Sequence, residues 1–319
     1  MRHAARAALL LLAAARPAAA QVPADTTCPV YFRFELALRD APVSGAPLRR
    51  LSEAFDGAVL AFLGGDRARA TIVQDSLATA LEGGREDARA RHCGELRRRL
   101  GLAQGERHQL QVATQGIPYR VAAPLVRSGD PLPLVIALVG AGGNEHTFLE
   151  GYGAGVLGSL ARQRRFVAVT PRTDRLIGDA GNLDRLIDAV LAKYRIDPKR
   201  IYVIGHSLGA AAAWGFVQLP GSRVAAVACI AGPCGGPVPA AYVPALAQVP
   251  PRTGAGRPPL WLATAGADRV VADSVLARAR DAARAAGWSV QERRYADHGH
   301  TTVVGAAVPD AVAWLLAQR

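Results

Sequence analysis

The second half of the chain alternates continuous apolar runs with amphipathic stretches, and this alternation constrains the fold most. Residues 133–139 are apolar throughout and residues 166–170 are apolar except for Thr170, as in buried strands, and helical periodicity follows at 183–194 and 274–286. Strands covered by helices on both faces form mostly parallel sheets with ligand sites beyond their carboxyl ends. We therefore predict an α/β domain over residues 106–319. Further strands are predicted at 109–114, 119–125, 201–204, 224–230, 260–264 and 290–295, and further helices at 208–219 and 308–318.

The region before this domain has a different rhythm. Between residues 47 and 100, apolar residues recur at helical spacing, as in Leu48, Leu51 and Phe55, and glycine pairs interrupt the pattern. This predicts two or three helices within a small all-helical region over 21–105. The region carries no catalytic motif.

Residues 1–20 resemble a secretory leader. Two arginines precede a short apolar run, and small residues stand before a predicted cleavage after Ala20. We expect export to the periplasm or the medium, with no stable membrane anchor. The formal net charge of +12 falls to +9 without this segment, which holds three arginines and no acid. The remaining arginines are scattered, so we expect no nucleic-acid partner.

The four cysteines permit two disulfides in an exported chain. Three pairings are possible, and we favour Cys28–Cys93 and Cys229–Cys234. The first would tie the mature N-terminus to a helix, and the second would close a local loop. A buried thiol and a free loop thiol remain the alternative for the second pair.

A serine stands between two glycines where an apolar strand meets an alanine-rich helix. Gly205-x-Ser207-x-Gly209 is the pattern of a nucleophile elbow, a sharp turn that lifts the serine hydroxyl to the top of the sheet. The glycines keep side chains out of the tight turn. We expect Ser207 to be a nucleophile and His206 to be its structural neighbour.

A nucleophilic serine needs a base, and the base needs an orienting acid, here in the order serine, acid, histidine. Asp268 follows a predicted strand and is our candidate acid. Its rival, Asp273, could instead begin the next helix. His300 is the favoured base and His298 the alternate, because both follow the last strand. A metal site in the D-H-G-H stretch 297–300 is the alternative reading of these histidines.

The glycine-rich loop 140–145 follows an early strand and is the candidate oxyanion loop. Gly140 or Ala141 would give one backbone N–H, and Leu208, which follows the serine, would give the other. A flexible glycine loop without function is the alternative. A phosphate loop is excluded because no lysine follows.

These motifs resemble the α/β-hydrolase superfamily over residues 106–319. More narrowly, Asp197-Pro198-x-Arg200-Ile201-Tyr202-x-x-Gly205-x-Ser207-x-Gly209 is similar to secreted polyhydroxyalkanoate-depolymerase-like, feruloyl and acetyl esterases. The resemblance implies ester hydrolysis through an acyl-enzyme, without a cofactor, on a small or polymeric ester. One departure is Val139, where that branch usually has a histidine.

Two other functions stay open on the sequence. A serine peptidase of the same fold would use the same triad, and a non-catalytic binding module could retain the fold. The proline-rich segment 232–259 joins two predicted strands. By analogy with similar hydrolases, we expect it to line the substrate mouth.

Overall fold

The structure, a computed structural model, describes most of the chain beyond the predicted leader. Residues 1–20 lie outside the described part, so export stays a prediction. No helix in that part is long and apolar enough to cross a membrane. The described ranges are 28–102, 107–112, 115–124, 129–238, 240–241, 243–247 and 256–318.

One eight-stranded sheet forms the centre of the molecule, in the order β1-β2-β4-β3-β5-β6-β7-β8. Strand β2 pairs antiparallel with both β1 and β4, and all the other pairs of neighbouring strands are parallel. The fold class is therefore the predicted one. The strands are β1 (Arg107–Val112), β2 (Gln115–Ala122), β3 (Leu132–Leu138), β4 (Val167–Pro171), β5 (Ile196–His206), β6 (Ala226–Ile230), β7 (Leu260–Ala265) and β8 (Val290–Tyr295).

Helices cover both faces of this sheet, which explains why its central strands are apolar throughout. Along β3, Leu134 and Ile136 face one core and Val135 and Ala137 face the other. One core includes side chains of α7, α8 and α10, and the other includes those of α5 and α11. The helices of this region are α5 (Val156–Gln163), α6 (Thr173–Leu176), α7 (Asn182–Leu191), α8 (Leu208–Gln218), α9 (Pro244–Ala247), α10 (Asp273–Ala285) and α11 (Thr302–Ala317).

The structure corrects two predicted features and adds a helix. The predicted strands 109–114 and 119–125 leave Gly116 between them, but Gly116 belongs to β2 and pairs with Gln111, and Val112 pairs with Gln115. The last helix begins at Thr302 rather than at residue 308 and contains Pro309 in its interior. Helix α5 has no counterpart among the predicted elements, because its eight residues are too short for periodicity to define.

The N-terminal region has four described helices where two or three were expected. They are α1 (Val30–Asp40), α2 (Gly45–Leu63), α3 (Arg67–Leu81) and α4 (Glu86–Leu102). Helix α1 was missed because it buries Arg33 and Glu35 beside its aromatic residues, which blurs the apolar stripe. The expected boundary at 105/106 falls within the undescribed residues 103–106 and stays a prediction.

Both favoured disulfides are present. Cys28 is bonded to Cys93 in α4, and Cys229 to Cys234 beyond β6. The described residues contain no free cysteine. The first bond closes the helical region on itself, and the second is the expected local bridge.

Helix α2 packs against the loops at the carboxyl ends of β7 and β8. Val59 and Leu63 contact a small core around Val270 and Val271. The Ser52 hydroxyl is 2.8 Å from the Thr302 hydroxyl, and Glu53 forms an ion pair with Arg269. The helical region therefore covers the edge of the sheet where ligand sites of such folds lie.

Candidate active site

Ser207 lies at the turn between β5 and α8 with a strained backbone. Its φ of 53° and ψ of −117° lie outside the regions that a residue with a side chain ordinarily adopts. A Cβ at Gly205 would overlap the Gly209 backbone, and one at Gly209 would overlap the Leu138 carbonyl. Both glycines of the motif are therefore required by the close approach of backbone, as expected for an elbow.

Asp268 and His300 form a buried hydrogen-bonded pair. His300 Nδ1 is 2.9 Å from Asp268 Oδ2, and both side chains are almost fully buried. The other carboxylate oxygen accepts the backbone N–H groups of Val270 and Val271, each at 2.8 Å. Because an acceptor-only carboxylate occupies the Nδ1 side, that nitrogen carries the proton and Nε2 is the basic atom.

The pKa of His300 reflects opposing influences. Burial lowers it, but the charge and hydrogen bond of Asp268 and the charge of Asp56 raise it, and the net pKa lies above 6.5. Ser207 and His300 line the same pocket. No hydrogen bond joins their side chains in the described part of the chain. Asp268 and His300 are therefore held as a pair at the pocket that Ser207 also lines.

The alternate residues lie apart from this pair. Asp273 is the first residue of α10, is exposed, and forms an ion pair with Arg294 at 2.8 Å. It does not cap the helix, because Ala272 occupies that position. His298 Nδ1 is 3.0 Å from the Thr302 carbonyl. Among the described residues, no three His, Cys, Asp or Glu side chains are grouped for a metal ion.

His206 is a buried connector between two segments of the site. Its Nδ1 accepts the Tyr152 hydroxyl at 2.7 Å, and its Nε2 donates to the His300 carbonyl at 3.0 Å. Burial, and to a smaller extent the positive charge of the nearby His300, holds the pKa of His206 well below 6.5. A neutral imidazole with both nitrogens engaged supports the backbone of His300, in line with the structural role expected from sequence.

The glycine loop after β3 lies directly against Ser207. A Cβ at Gly140 would come within 3.1 Å of Ser207 Cβ. Burial raises the pKa of the Tyr152 hydroxyl, and a backbone hydrogen bond from Gly140 lowers it by less. Because the Gly140 N–H is engaged there, Ala141 is the donor that we carry into the proposal. Leu208 begins α8, where the first N–H groups have no partner within the helix.

Val139 takes the place that a histidine usually has in similar esterases, and it supports the loop by packing. A Cβ at Gly143 would overlap the Val139 side chain, so the two are in close contact. The Val139 N–H donates to the Thr173 hydroxyl at 2.8 Å. Loop support is thus provided by an apolar contact and a backbone hydrogen bond.

A pocket of about 380 Å³ lies over Ser207 and His300. This is within the ordinary range for small-molecule sites. One wall comes from the sheet region and the other from α1, α2 and α3. The helical wall consists of Pro29, Tyr31, Phe32, Phe55, Val59, Phe62, Leu63, Arg67, Ala70, Thr71 and Gln74.

The described residues of the segment 232–259 lie away from the predicted position at the substrate mouth, and residues 239, 242 and 248–255 are outside the described part. None of its described residues lines this pocket. Val243 and Leu246 instead join the core beneath α8, where Leu246 lies against Gly215. The N-terminal helices form the wall that this segment was expected to form.

Sequence reasoning missed three residues of the site. Tyr152 supports His206, Phe62 lies over Gly142 of the glycine loop, and Asp56 accepts backbone N–H groups of the triad loops. Tyr152 and Phe62 carry no sequence signal beyond being aromatic. Asp56 and Ser52 are four residues apart on α2 and both are buried, but the sequence gives no sign of that burial.

The chain can now be compared with known proteins. No protein-family model matches the sequence, and no curated protein sequence matches it. Solved structures match its fold. The substrate-bound fluorophosphonate-binding serine hydrolase F of Staphylococcus aureus superposes with a TM-score of 0.54 at 12% identity, over 66% of this chain and 98% of that one.

Two further structures agree. An S-formylglutathione hydrolase from Agrobacterium tumefaciens gives a TM-score of 0.53 at 15% identity, over 66% of this chain and 93% of that one. A propionate-bound thermophilic esterase from Thermogutta terrifontis gives a TM-score of 0.53 at 15% identity, over 66% of this chain and 94% of that one. The chain therefore has the α/β-hydrolase fold. Its narrower resemblance to polyhydroxyalkanoate-depolymerase-like esterases stays a prediction.

Proposed function

We propose that the protein is a serine esterase that cleaves carboxylic esters through Ser207, His300 and Asp268. The observation that carries the proposal is the 2.9 Å pairing of Asp268 with His300 in the pocket that also holds the strained Ser207. A strained elbow, an oriented base and a buried acid are the parts that acyl transfer requires. Several solved structures with the same fold are named as esterases or serine hydrolases.

In the first half-reaction, Ser207 Oγ attacks the ester carbonyl carbon while His300 Nε2 takes the hydroxyl proton. The carbonyl electrons move to oxygen, where the N–H groups of Leu208 and Ala141 stabilise the negative charge. Each such donor is worth about 2.7–4 kcal/mol in the transition state. The oxyanion then collapses, the bond to the alcohol oxygen breaks, and His300 gives the proton to the departing alcohol.

In the second half-reaction, water replaces the alcohol. His300 Nε2 takes a proton from water as its oxygen attacks the acyl carbon. Collapse of the second oxyanion breaks the bond to Ser207 Oγ, which regains the proton, and the carboxylic acid leaves. Asp268 stays ionised throughout and stabilises the imidazolium that forms twice in the cycle.

The pocket favours an ester with an apolar group. Phe55, Val59, Phe62 and Leu63 bring apolar side chains to the wall opposite Ser207. Burying apolar surface against such a wall is favourable by about 25 cal/mol per Å². An aliphatic acyl chain or an aryl group of modest size fits this chemistry better than a charged substrate.

Export forms part of the proposal. The disulfides Cys28–Cys93 and Cys229–Cys234 suit an oxidising compartment, and the leader-like residues 1–20 suggest a route to it. We propose that the mature enzyme works in the periplasm or the medium. Detection of a chain beginning at Gln21 outside the cytoplasm would support this, and retention of residues 1–20 in the cytoplasm would contradict it.

The direct test is hydrolysis of chromogenic esters from acetyl to octanoyl by purified residues 21–319. We expect turnover by the wild type and a loss of at least about 10³-fold in Ser207→Ala, with unchanged thermal unfolding. Equal turnover in Ser207→Ala would remove the serine assignment. Peptide cleavage without ester cleavage would indicate the peptidase, and a folded protein inert towards both would favour the binding module.

A further inference from the structure

Asp56 lies outside the sheet region, yet it is bonded to both loops that carry the acid and the base. It belongs to α2 and is fully buried. Its carboxylate accepts a hydrogen bond from the backbone N–H of Arg269 at 2.9 Å, and both carboxylate oxygens are 3.0 Å from the backbone nitrogen of His300. Arg269 directly follows Asp268. The Asp56 carboxylate therefore joins the backbone next to Asp268 to the backbone of His300.

We propose that Asp56 is a positioning residue that fixes the relative placement of Asp268 and His300, so that the helical region completes the catalytic site. This inference rests on the proposed function. The carboxylate meets backbone donors on two loops that are otherwise separated by about thirty residues of chain. A proton-transfer site needs such placement, because an error of about 1 Å in geometry can cost about 100-fold in rate.

The space around Asp56 leaves little freedom for another arrangement. A Cβ at Gly299 would come within 2.9 Å of both carboxylate oxygens, so the His300 loop can approach only because residue 299 is glycine. A buried carboxylate is costly unless its oxygens are satisfied, and the Arg269 and His300 N–H groups supply that satisfaction. Helix α2 and the His300 loop are therefore matched to one another at this contact.

Asp56 also acts on the charge of the base. His300 has Asp268 at its ring and Asp56 at its backbone, and both charges raise its pKa. The other titratable group against it is His206, which is held neutral by burial. The surface ion pair of Glu53 and Arg269 lies on the outer side of the same contact. Removal of the Asp56 charge should therefore lower the pKa of His300.

The test compares Asp56→Asn with Glu53→Gln in the full mature chain. Glu53 is on the same helix and bonds to the same Arg269, but its half-buried carboxylate meets the exposed guanidinium rather than the backbone, so it is a matched control. We expect Asp56→Asn to lower kcat per titrated site about 10- to 100-fold with KM within threefold, and Glu53→Gln to stay within twofold of wild type. Active sites are counted with a fluorophosphonate.

Two readouts separate positioning from mere structural support. Burial raises the pKa of Asp56 itself to about 6, so the acid limb of kcat/KM in the wild type reflects both Asp56 and His300. In Asp56→Asn the limb should reflect His300 alone and lie at lower pH, and in Glu53→Gln it should not move. The same ring titration can be followed by NMR in a Ser207→Ala background, where turnover is not needed. If Asp56→Asn loses thermal stability alone, with unchanged kcat and His300 pKa, the inference is overturned.

Hydrogen exchange of the wild type gives a further test that needs no variant. The Arg269 and His300 amide protons should be among the slowly exchanging amides of their loops, because Asp56 accepts both. Fast exchange of either amide in the folded protein would contradict the inference, even if Asp56→Asn fails to fold. Failure of the proposed function is distinct, since a wild type without ester turnover would reveal it first.

Discussion

The two regions of the molecule bury different kinds of side chain. The sheet region buries long apolar runs on both faces, and its few buried charged side chains include the ion pair of Arg120 and Glu150. The helical region buries Arg33, Glu35, Asp56, Glu82 and His92 in or beside its four helices. A hydrophobic pattern thus specifies the first region, while buried charged side chains hold the second together and join it to the first.

The helical charges are arranged in connected groups. Arg33 is bonded to Asp75 and Thr79 of α3, and His92 lies between Glu82 and Asp40. Glu35 and Asp56 instead reach the sheet region, at the Gly153 N–H and the triad loops. The proposed chemistry thus resides in one region, and by the inference above its placement depends on both.

The largest expected effect tests whether the acid lies at Asp268. We expect Asp268→Asn to reduce kcat by about 10⁴-fold, because an amide would favour the wrong tautomer of His300. Asp273→Asn is the matched control, since that carboxylate only pairs with Arg294 at the surface, and it should stay within about twofold. Steady-state kinetics on one ester would decide, and the reverse ranking would exchange the two roles.

The disulfides sharpen the comparison through stability. Cys28–Cys93 spans 65 residues and Cys229–Cys234 spans 5. By chain entropy, Cys→Ser pairs should lower the free energy of unfolding by about 4 and about 2 kcal/mol respectively. Urea unfolding of both double variants would measure this. Equal losses of unfolding free energy in the two variants would show that the long loop closed by Cys28–Cys93 gives the helical region no extra stability.

Glu35 tests the effect of a charge buried in the helical region. Burial raises its pKa to about 7, against the hydrogen bonds from Tyr31 and Gly153 that lower it. The folded state therefore disfavours ionisation of Glu35. The free energy of unfolding should fall by about 3 kcal/mol as the pH rises from 4.5 to 7, because the unfolded chain loses this proton first. Glu35→Gln has no such ionisation, so its unfolding free energy relative to wild type should rise across this window. A constant difference would contradict the account.

Phe62 tests whether the helical region selects the substrate. It lines the pocket and lies over Gly142. We expect Phe62→Ala to raise the octanoyl-to-acetyl ratio of kcat/KM by about tenfold, because the pocket lengthens. Ile72→Ala is the control, since Ile72 is apolar but 65% exposed on α3. An unchanged ratio would assign substrate selection to the sheet region alone.

The sheet region could be predicted from sequence because each of its signals is local. Its strands are apolar runs. The glycines around Ser207 are required by close contacts, with residues a few positions away or with the neighbouring strand β3. The placement of Asp268 beside His300 followed from chain order in similar folds. Their pairing could be anticipated, although its 2.9 Å geometry could not.

The helical region could not be predicted equally well because its signals are non-local. Arg33 and Glu35 make α1 resemble a surface segment until their partners, 42 and 118 residues away, are known. Asp56 differs from any polar residue of an amphipathic helix only through residues more than 200 positions further on. Charge complementarity between distant segments leaves no periodic trace in one sequence.

The most direct test of the central claim is to find where a fluorophosphonate binds covalently. The account predicts one equivalent on the peptide that contains Ser207, no labelling of Ser207→Ala, and loss of ester turnover in proportion to the label. Intact mass and peptide mapping of the mature chain would measure all three. Labelling at another serine, or a folded wild type that is not labelled, would contradict the claim that Ser207 is an activated nucleophile.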